Sequence, residues 1–172
     1  APYGAIGLEQ LLGSKKDKDE KSKFRKTALW TPRWSTDPYI GGSNFFNYRD
    51  TILDLAKNNQ DVLFVLRPHP LMFGNFIKTG EMTEQDVKEF KDYCKHEDNI
   101  VLDESKEYFN RFWNSDLLIA DASGIVPEYF VTGKPILYCH SSAKFEYADY
   151  ARDIINSCYQ IYTKEELQQD FY

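Results

Sequence analysis

Residues 116–124, Asp-Leu-Leu-Ile-Ala-Asp-Ala-Ser-Gly, carry the clearest signal of the fold. Their apolar first part is typical of a strand buried on both faces, as in a parallel sheet covered by helices. The polar turn and the glycine that follow predict the start of a helix. A second strand of the same kind, 61–66 (DVLFVL), ends at the polar segment Arg67-Pro68-His69-Pro70.

Shorter patterns on either side of these strands alternate in the same way. The predicted strands are 27–31, 61–66, 99–102, 116–120, 135–139 and 159–162. The predicted helices are 47–58, 83–94 with a capping-box-like Thr83-x-x-Asp86, one capped by Ser105, 124–132, 146–156 and a last one capped by Thr163. Strands that alternate with helices predict an α/β fold: a Rossmann-like doubly wound parallel sheet.

Length and composition indicate the domain organisation. The chain has 172 residues, 42% of them hydrophobic, which suffices for one well-cored domain and not for two full ones. Residues 1–26, with a mixed-charge run at 14–26, are predicted to be a linker or N-terminal extension, and residues 27–172 to be the domain. Because the chain starts without a methionine, we expect it to be a fragment of a larger protein.

Composition also argues against several classes of function. The net charge of −6 and the pI near 5.1 are unlike the basic surface that binds nucleic acid. No apolar stretch approaches the roughly 20 residues that cross a bilayer. The sequence lacks metal-ligand spacings, a Walker A motif and a GxGxxG motif, so we predict no metal, P-loop or dinucleotide site. Cys94 and Cys139 fall in apolar patterns and are predicted to be buried free thiols.

Polar residues follow three of the predicted strands. In an open α/β sheet, ligands bind outside the carboxyl ends of the strands. An arginine there can hold a phosphate oxygen, and a histidine fixed between two prolines can bind a phosphate or transfer a proton. An ordinary loop histidine that is bonded to the backbone is the alternative for His69. The candidates from the first two segments are Arg33 and Ser35, then Arg67 and His69.

The third segment adds Asp121, Ser123, Gly124 and, about one turn later, Glu128. A small residue at a helix N-terminus lets a phosphate approach the backbone N–H groups, and the helix dipole favours its charge. Glu128 is spaced to accept hydrogen bonds from a ribose diol. The alternative is that Ser123 is only an N-cap and Glu128 only an exposed helix residue. Spacing alone leaves both open.

Four segments together resemble a known family. They are LWTPRWS (29–35), GGSNFF (41–46), LRPHP (66–70) and SDLLIADASGIVPEYFVTGKPILYC (115–139). In this order they resemble the C-terminal, donor-binding domain of the CDP-glycerol glycerophosphotransferase family, of the teichoic-acid polymerase and primase type. The resemblance runs from about Ala28 to Cys139. It implies one half of a GT-B fold, with CDP-glycerol or a related CDP-alditol bound by residues 27–172.

The resemblance also implies roles for individual residues. Arg67 and His69 match the family's arginine-histidine-proline segment and are expected to act on the donor diphosphate as catalytic residues. The family's aspartate-x-serine-serine turn matches residues 121–124, with Gly124 in place of the second serine. Glu128 matches the family's acidic residue. The family's proline-threonine-aromatic-arginine segment is present as 32–35, with the arginine displaced to Arg33.

The function implied is transfer of glycerol phosphate, or a related alditol phosphate, from a CDP-activated donor to a cell-wall or capsule polymer. The nucleotide-activated donor is the only small molecule expected, with no further cofactor. The polymer or lipid-linked acceptor and the general base are expected in a missing N-terminal domain, so this chain alone should be inactive. The whole protein is expected to be cytoplasmic and peripheral at the inner face of a bacterial plasma membrane, with membrane contact only through missing regions.

Two alternatives remain at this point. One is a GT-B glycosyltransferase that uses a UDP- or GDP-sugar in surface polysaccharide synthesis. The other is a non-catalytic binding domain with a decayed site, which Gly124 and the displaced Arg33 favour.

Overall fold

The computed structural model of the chain describes residues 6–13, 23–141, 144 and 149–172. The strands are β1 (Lys26–Thr31), β2 (Val62–Leu66), β3 (Ile100–Leu102), β4 (Leu117–Ala120), β5 (Ile136–Cys139) and β6 (Tyr159–Ile161). The helices are α1 (Ile6–Gly13), α2 (Phe45–Asn58), α3 (Met72–Thr79), α4 (Glu84–His96), α5 (Phe109–Asn114), α6 (Ile125–Phe130), α7 (Asp149–Asn156) and α8 (Lys164–Asp170). Over these ranges no helix is both long enough and apolar enough to cross a membrane.

The strands form one six-stranded sheet in the order β3-β2-β1-β4-β5-β6, and every neighbouring pair is parallel. Successive residues of a strand point to opposite faces. In β1, Ala28 and Trp30 pack with α2, α3, α4 and α8 in one core cluster, whereas Leu29 packs with α1, α5, α6 and α7 in the other. Both faces of the sheet are therefore covered, and the prediction of a Rossmann-like doubly wound sheet is confirmed.

Strand β1 lies at the point where the strand order reverses. The chain runs outward from β1 to β2 and β3, then returns to place β4 on the other side of β1. In register, Trp30 lies beside Leu66 of β2, and Thr31 lies beside Ala120 of β4. The carboxyl ends of β1, β2 and β4 thus meet at one edge, where doubly wound sheets bind ligands.

A group of aromatic rings fixes the helices to this edge. The rings of Trp30 and Phe45 stack at 5.6 Å, and Phe45 also contacts Phe76 of α3 at 5.5 Å and Phe90 of α4 at 5.4 Å. Aromatic pairs contribute about 0.5–1.5 kcal/mol each beyond the burial of their area. Because Phe45 is the first residue of α2, these contacts hold the start of α2 and the loop before it against β1.

The predicted strands agree with the structure to within one residue at each end. The capping boxes at Thr83 and Thr163 are present, with Asp86 and Glu166 as their partners. Helix α3 was not predicted, since its eight residues give too short a pattern to detect.

The prediction that Ser105 caps a helix is wrong. Helix α5 begins at Phe109, with Tyr108 at its N-cap position. The carbonyl of Ser105 instead accepts a hydrogen bond from Arg67 at 2.6 Å, which holds the segment as a loop.

Helix α1 lies inside the predicted N-terminal extension 1–26. Its Leu11 is fully buried in the core cluster of α5 and α6, and the Leu11 carbonyl accepts a hydrogen bond from the Trp113 indole at 2.9 Å. Most of the mixed-charge run, 14–22, lies outside the described residues, as does the start of the helix predicted at 146–156. The boundary at residues 26 and 27 stays a prediction.

All of the cysteines, Cys94, Cys139 and Cys158, are buried free thiols, as predicted for the first two. Burial raises the pKa of Cys94 and of Cys158 to about 11 and that of Cys139 well above its usual value. At neutral pH these thiols are protonated, so they serve as packing groups.

Candidate functional site

A cavity of about 900 Å³ opens at the carboxyl ends of β1, β2, β3 and β4. It crosses the point where the strand order reverses. Its wall consists of the loops after β1, β2 and β3 and of the turn from β4 into α6. Most of the predicted site residues line it: Arg33, Arg67, His69, Ser123, Gly124 and Glu128.

The predicted residue Ser35 does not line the cavity. Ser35 is buried; its hydroxyl accepts a hydrogen bond from the Asp37 N–H at 3.2 Å, and its carbonyl accepts one from the Ser43 N–H at 2.7 Å. A side chain at Gly41 would collide with the Ser35 backbone, since an added Cβ would lie 3.0 Å from the Ser35 carbonyl carbon. Ser35 therefore shapes the loop between β1 and α2, and direct contact with a donor stays a prediction.

Asp121 also lies behind the cavity wall. Its carboxylate is buried, and Oδ2 accepts hydrogen bonds from the backbone N–H of Arg33 at 3.0 Å and of Asn44 at 3.2 Å. Burial raises the pKa of Asp121 to about 6, and the hydrogen bonds oppose this shift. Asp121 thus ties the end of β4 to the loops on both sides of it. Its predicted role in binding a donor directly stays a prediction.

Arg33 lies at the rim of the cavity beside the turn after β4. Its Nη1 donates to the carbonyl of Ala122 at 2.5 Å, and its Nη2 donates to the carbonyl of Ile40 at 3.4 Å. These carbonyls fix the direction of the guanidinium without neutralising its charge. Its positive charge also acts on His69 in the loop after β2, where it contributes to lowering the pKa of the imidazole.

Arg67 belongs to a network of charged side chains. Its Nη1 lies 2.8 Å from Oδ2 of Asp103, and the same oxygen lies 2.8 Å from Nε of Arg111. Burial alone would raise the pKa of Asp103, but hydrogen bonds from Ser105 and the contact with Arg111 outweigh it and lower the pKa. The network carries two cations on one carboxylate, so these three side chains together have a net positive charge.

His69 follows β2 and joins two loops. Its backbone N–H donates to the carbonyl of Pro32 at 3.2 Å, and its Nδ1 accepts from the Leu71 N–H at 3.2 Å. Because Nδ1 is an acceptor, the neutral ring carries its proton on Nε2. Burial first, and then the charge of Arg33, lower the pKa of His69, so the ring is neutral at pH 7. The bond to the backbone fixes the ring and leaves Nε2 as its donor.

Ser123 and Gly124 form the turn from β4 into α6. Gly124, rather than Ser123, occupies the N-cap position, and no side chain caps the helix. The Ser123 hydroxyl is buried and has no hydrogen-bond partner among the described residues. Such a hydroxyl costs about 1–3 kcal/mol relative to a satisfied one. A Cβ added at Gly124 would meet nothing within 4 Å, so the space beside the turn is open.

Glu128 is half-buried in the wall, unlike the exposed helix residue of the alternative interpretation. Its Oε2 accepts a hydrogen bond from the Tyr108 hydroxyl at 3.2 Å. Burial raises the pKa of Glu128, and the bond from Tyr108 opposes the shift. The Tyr108 ring also lies 5.6 Å from the Arg67 guanidinium. One carboxylate oxygen is thus bonded and the other can accept from a ligand hydroxyl.

Sequence patterns did not single out Asp103 and Tyr108, which also belong to this wall. Asp103 directly follows β3, so the rule that selected Arg67 after β2 would also have found it. Tyr108 falls within the helix that was predicted to start at Ser105, and no spacing distinguishes it from Phe109. In the part of the chain that the structure describes, no group of three His, Cys, Asp or Glu side chains is arranged to hold a metal ion.

The chain is similar to known proteins both in sequence and in fold. The sequence model of the CDP-glycerol:poly(glycerophosphate) glycerophosphotransferase family matches residues 10–165, which is more than half of the chain. A comparison with curated proteins finds no match.

Three solved structures are similar to this chain, and the two with TM-scores above 0.5 show the same fold. The UDP-GlcNAc 2-epimerase of Neisseria meningitidis bound to UDP-GlcNAc has a TM-score of 0.55 and 19% identity, over 95% of this chain and 38% of that one. The enzyme of Methanocaldococcus jannaschii, in complex with UDP-GlcNAc and UDP, has a TM-score of 0.54 and 14% identity, over 95% and 40%. The wall teichoic acid polymerase TagF has a TM-score of 0.44 and 18% identity, over 77% and 28%.

This chain therefore spans about two fifths of the length of the epimerase chains. The fold-class prediction, a Rossmann-like domain that is one half of a GT-B fold, is confirmed.

Proposed function

Since this chain belongs to the CDP-glycerol:poly(glycerophosphate) glycerophosphotransferase family, we propose that it is the donor-binding domain of a transferase that builds cell-wall or capsule polymers. The donor is CDP-glycerol or a related CDP-alditol. One observation carries the proposal: a single cavity at the strand-order reversal is lined by cations, a buried hydroxyl without a partner and a half-buried carboxylate.

The size of the cavity suits this donor. Pockets for small molecules and cofactors occupy about 300–1,000 Å³, and this one has about 900 Å³. Its polar groups are of two kinds. Hydrogen-bond donors lie in the loop after β2, at Arg67 and His69, and at the turn into α6, at Ser123, whereas the carboxylate of Glu128 lies within α6. A nucleoside diphosphate has a matching division into anionic phosphates and a neutral ribose diol.

The diphosphate is assigned to Arg67, His69 and Ser123. The network of Arg67, Asp103 and Arg111 has a net positive charge before any ligand binds. His69 offers its Nε2 proton, and Ser123 offers a hydroxyl that lacks a partner among the described residues. Phosphate oxygens accept several hydrogen bonds each, so they can satisfy all of these donors.

The ribose is assigned to Glu128. The Tyr108 hydroxyl fixes one oxygen of this carboxylate, and the other can accept a hydrogen bond from the diol.

The proposed reaction is a substitution at the β-phosphorus of the donor. The acceptor hydroxyl forms a bond to this phosphorus, the bond from the phosphorus to the bridging oxygen breaks, and CMP leaves. A general base, expected outside this chain, takes the proton of the hydroxyl. Arg67 and His69 stabilise the charge that develops on the leaving phosphate, and loss of one such donor costs about 3–4 kcal/mol in known sites.

Calorimetric titration of the chain with CDP-glycerol, CMP, a UDP-sugar and a GDP-sugar tests the proposal. We expect binding with a preference for the cytidine nucleotides. Failure to bind any of them at millimolar concentration would overturn the proposal. A preference for the uridine or guanosine ligand would support the alternative of a GT-B glycosyltransferase in surface polysaccharide synthesis.

A pair of histidine variants shows where the donor binds. His96 is exposed, and its Nδ1 lies 2.6 Å from the carbonyl of Asp92, away from the cavity. A hydrogen bond to a charged group contributes about 1.5–3 kcal/mol, and 1.4 kcal/mol corresponds to tenfold in affinity. His69→Ala should weaken CDP-glycerol binding at least tenfold, whereas His96→Ala should leave it unchanged. Equal affinities of the two variants would remove His69 from the site.

The same substitution in the full-length enzyme tests the alternative of a decayed site. Loss of polymer synthesis in His69→Ala is expected. Unaltered activity would mean that catalysis does not use this cavity.

A further inference from the structure

The cavity contains a second buried hydroxyl, on a residue that was not among the predicted site residues. Thr31, the last residue of β1, is 3% exposed and lines the cavity. Its Oγ1 has no hydrogen-bond partner among the described residues. Four buried side-chain polar atoms of the described chain share this condition, and two of them, on Thr31 and Ser123, line the same cavity. Buried polar groups are nearly always satisfied in folded proteins, so this coincidence points to a shared ligand.

The sheet brings these two hydroxyls to the same side. Side chains alternate along a strand, so Thr31 lies on the face of Leu29. Leu29 packs in the core cluster that contains Val126 of α6, the helix that directly follows Ser123. In register, Thr31 lies beside Ala120, three positions before Ser123. Both hydroxyls therefore border the cleft that opens beyond the carboxyl ends of β1 and β4, on its α6 side.

The surroundings favour an anionic ligand at this cleft. Residue 32 is a proline, which has no N–H, so the Thr31 hydroxyl is the hydrogen-bond donor at the end of β1. The guanidinium of Arg33 is fixed beside the Ala122 carbonyl in the neighbouring turn. Two hydroxyl donors next to a fixed cation suit an oxygen that accepts several hydrogen bonds, as a phosphate oxygen does.

We propose that Thr31 is a further donor-binding residue and that its hydroxyl and that of Ser123 bind the same phosphate oxygen of the donor diphosphate. This inference rests on the proposed function and adds Thr31 to its site.

Thr31→Val tests the inference because valine keeps the shape and removes the hydroxyl. Calorimetry should show affinities for CDP-glycerol and for CDP that are about tenfold lower, the effect of one hydrogen bond to a charged group. Affinity for cytidine, which has no phosphate, should be unchanged. The urea midpoint should not fall, since no hydrogen bond within the protein is lost. Thr31→Ser, which keeps the hydroxyl, should bind CDP-glycerol within about twofold of the native chain.

Thr27→Val is the matched control, because Thr27 lies at the other end of β1 and does not line the cavity. It should bind every ligand as the native chain does. The combined variant Thr31→Val, Ser123→Ala should lose less than the product of the separate losses, because both hydroxyls bind one oxygen.

The outcomes separate this inference from the proposed function. If the native chain binds CDP-glycerol and Thr31→Val binds it equally well, the inference fails and the proposed function stands. Equal loss of cytidine and CDP binding would assign Thr31 a structural role and overturn the inference, as would fully multiplicative losses in the combined variant. If the native chain binds no nucleotide, the proposed function itself fails.

Discussion

The loop after β2 and the turn after β4 border the same cavity, yet their polar groups are satisfied in opposite ways. In the first region, Arg67 bonds to Asp103 and to the Ser105 carbonyl, and Asp103 also bonds to Arg111. In the second region, the hydroxyl of Ser123, like that of Thr31 beside it, has no partner in the described part of the chain.

In the anion-binding site that we propose, the difference separates two tasks. The charged region is organised before a ligand arrives, because each side chain is already held by its neighbours. It therefore attracts anions at little reorganisation cost. The hydroxyls gain hydrogen-bond partners only when a ligand supplies an acceptor. This region therefore binds ligands that place an acceptor at the right position more tightly than others. Substitutions that break the network of Arg67, Asp103 and Arg111 should thus lower stability, whereas substitutions of the unpartnered hydroxyls should alter binding alone.

The largest effect is expected for Asp103→Ala. Asp103 is the carboxylate that Arg67 and Arg111 share, and its side chain is 3% exposed. Its removal leaves two guanidinium groups close together without a counter-charge. Breaking a buried ion pair by removing one partner costs about 3–5 kcal/mol, and we expect a loss of this order in the free energy of unfolding. Urea denaturation measures it.

Asp50→Ala is the control for that variant. Asp50 pairs with Arg49 at 2.8 Å, but its side chain is 71% exposed. Exposed pairs contribute about 0–1 kcal/mol, so the urea midpoint should barely move. Equal midpoints for the Asp103 and Asp50 variants would show that the charged region is not organised by its buried carboxylate.

A smaller, pH-dependent effect is expected from Asp121, which lies between the two regions. Its pKa in the folded chain is about 6, compared with an ordinary value of 3.8. Between these values the folded chain binds the proton more tightly than the unfolded chain. Stability from this group is therefore present below about pH 4 and is lost as the pH rises to 6, by about 3 kcal/mol in total.

Asp121→Asn isolates this effect, since asparagine cannot titrate and can still accept the two backbone hydrogen bonds. The free energy of unfolding of the variant, minus that of the native chain, should rise by about 2 kcal/mol from pH 4 to pH 7. Urea denaturation at several pH values gives this difference, and the other carboxylates cancel from it. A difference that stays constant with pH would mean that burial does not raise the pKa of Asp121.

The sequence predicted the fold and most of the cavity because both depend on local signals. Apolar runs such as 61–66 and 116–120 mark buried strands, and the polar residues after them lie at the carboxyl edge by topology. Arg67, His69 and Ser123 were found in this way, and the family resemblance, now supported over residues 10–165, pointed to the same positions.

The contacts between distant segments were not predictable by this route. A polar residue after a strand can point to a ligand or to the backbone, and spacing does not distinguish the two. Asp121 points to the N–H groups of Arg33 and Asn44, so it lies behind the cavity wall. The partner of Arg67 is 36 positions away in the chain, and only the pairing of β2 with β3 brings the two together.

The smallest predicted change in stability concerns two buried serine hydroxyls, one that has hydrogen-bond partners and one that has none among the described residues. Ser115 is buried and bonded: its Oγ lies 3.2 Å from the Phe112 carbonyl and 3.0 Å from the hydroxyl of buried Tyr129. Ser115→Ala leaves Tyr129 without this partner and should lower the free energy of unfolding by about 1–2 kcal/mol. Ser123→Ala loses no hydrogen bond within the protein and removes a buried hydroxyl that has no partner among the described residues, so it should not lower the free energy of unfolding.

Urea denaturation of the two serine variants without nucleotide, then with saturating CDP-glycerol, makes the comparison. A ligand stabilises the folded state in proportion to its affinity. The nucleotide should therefore stabilise Ser115→Ala as much as the native chain, and Ser123→Ala less. If Ser123→Ala is already as unstable as Ser115→Ala without nucleotide, its hydroxyl is satisfied within the protein. The contrast between the charged region and the hydroxyl region would then not hold.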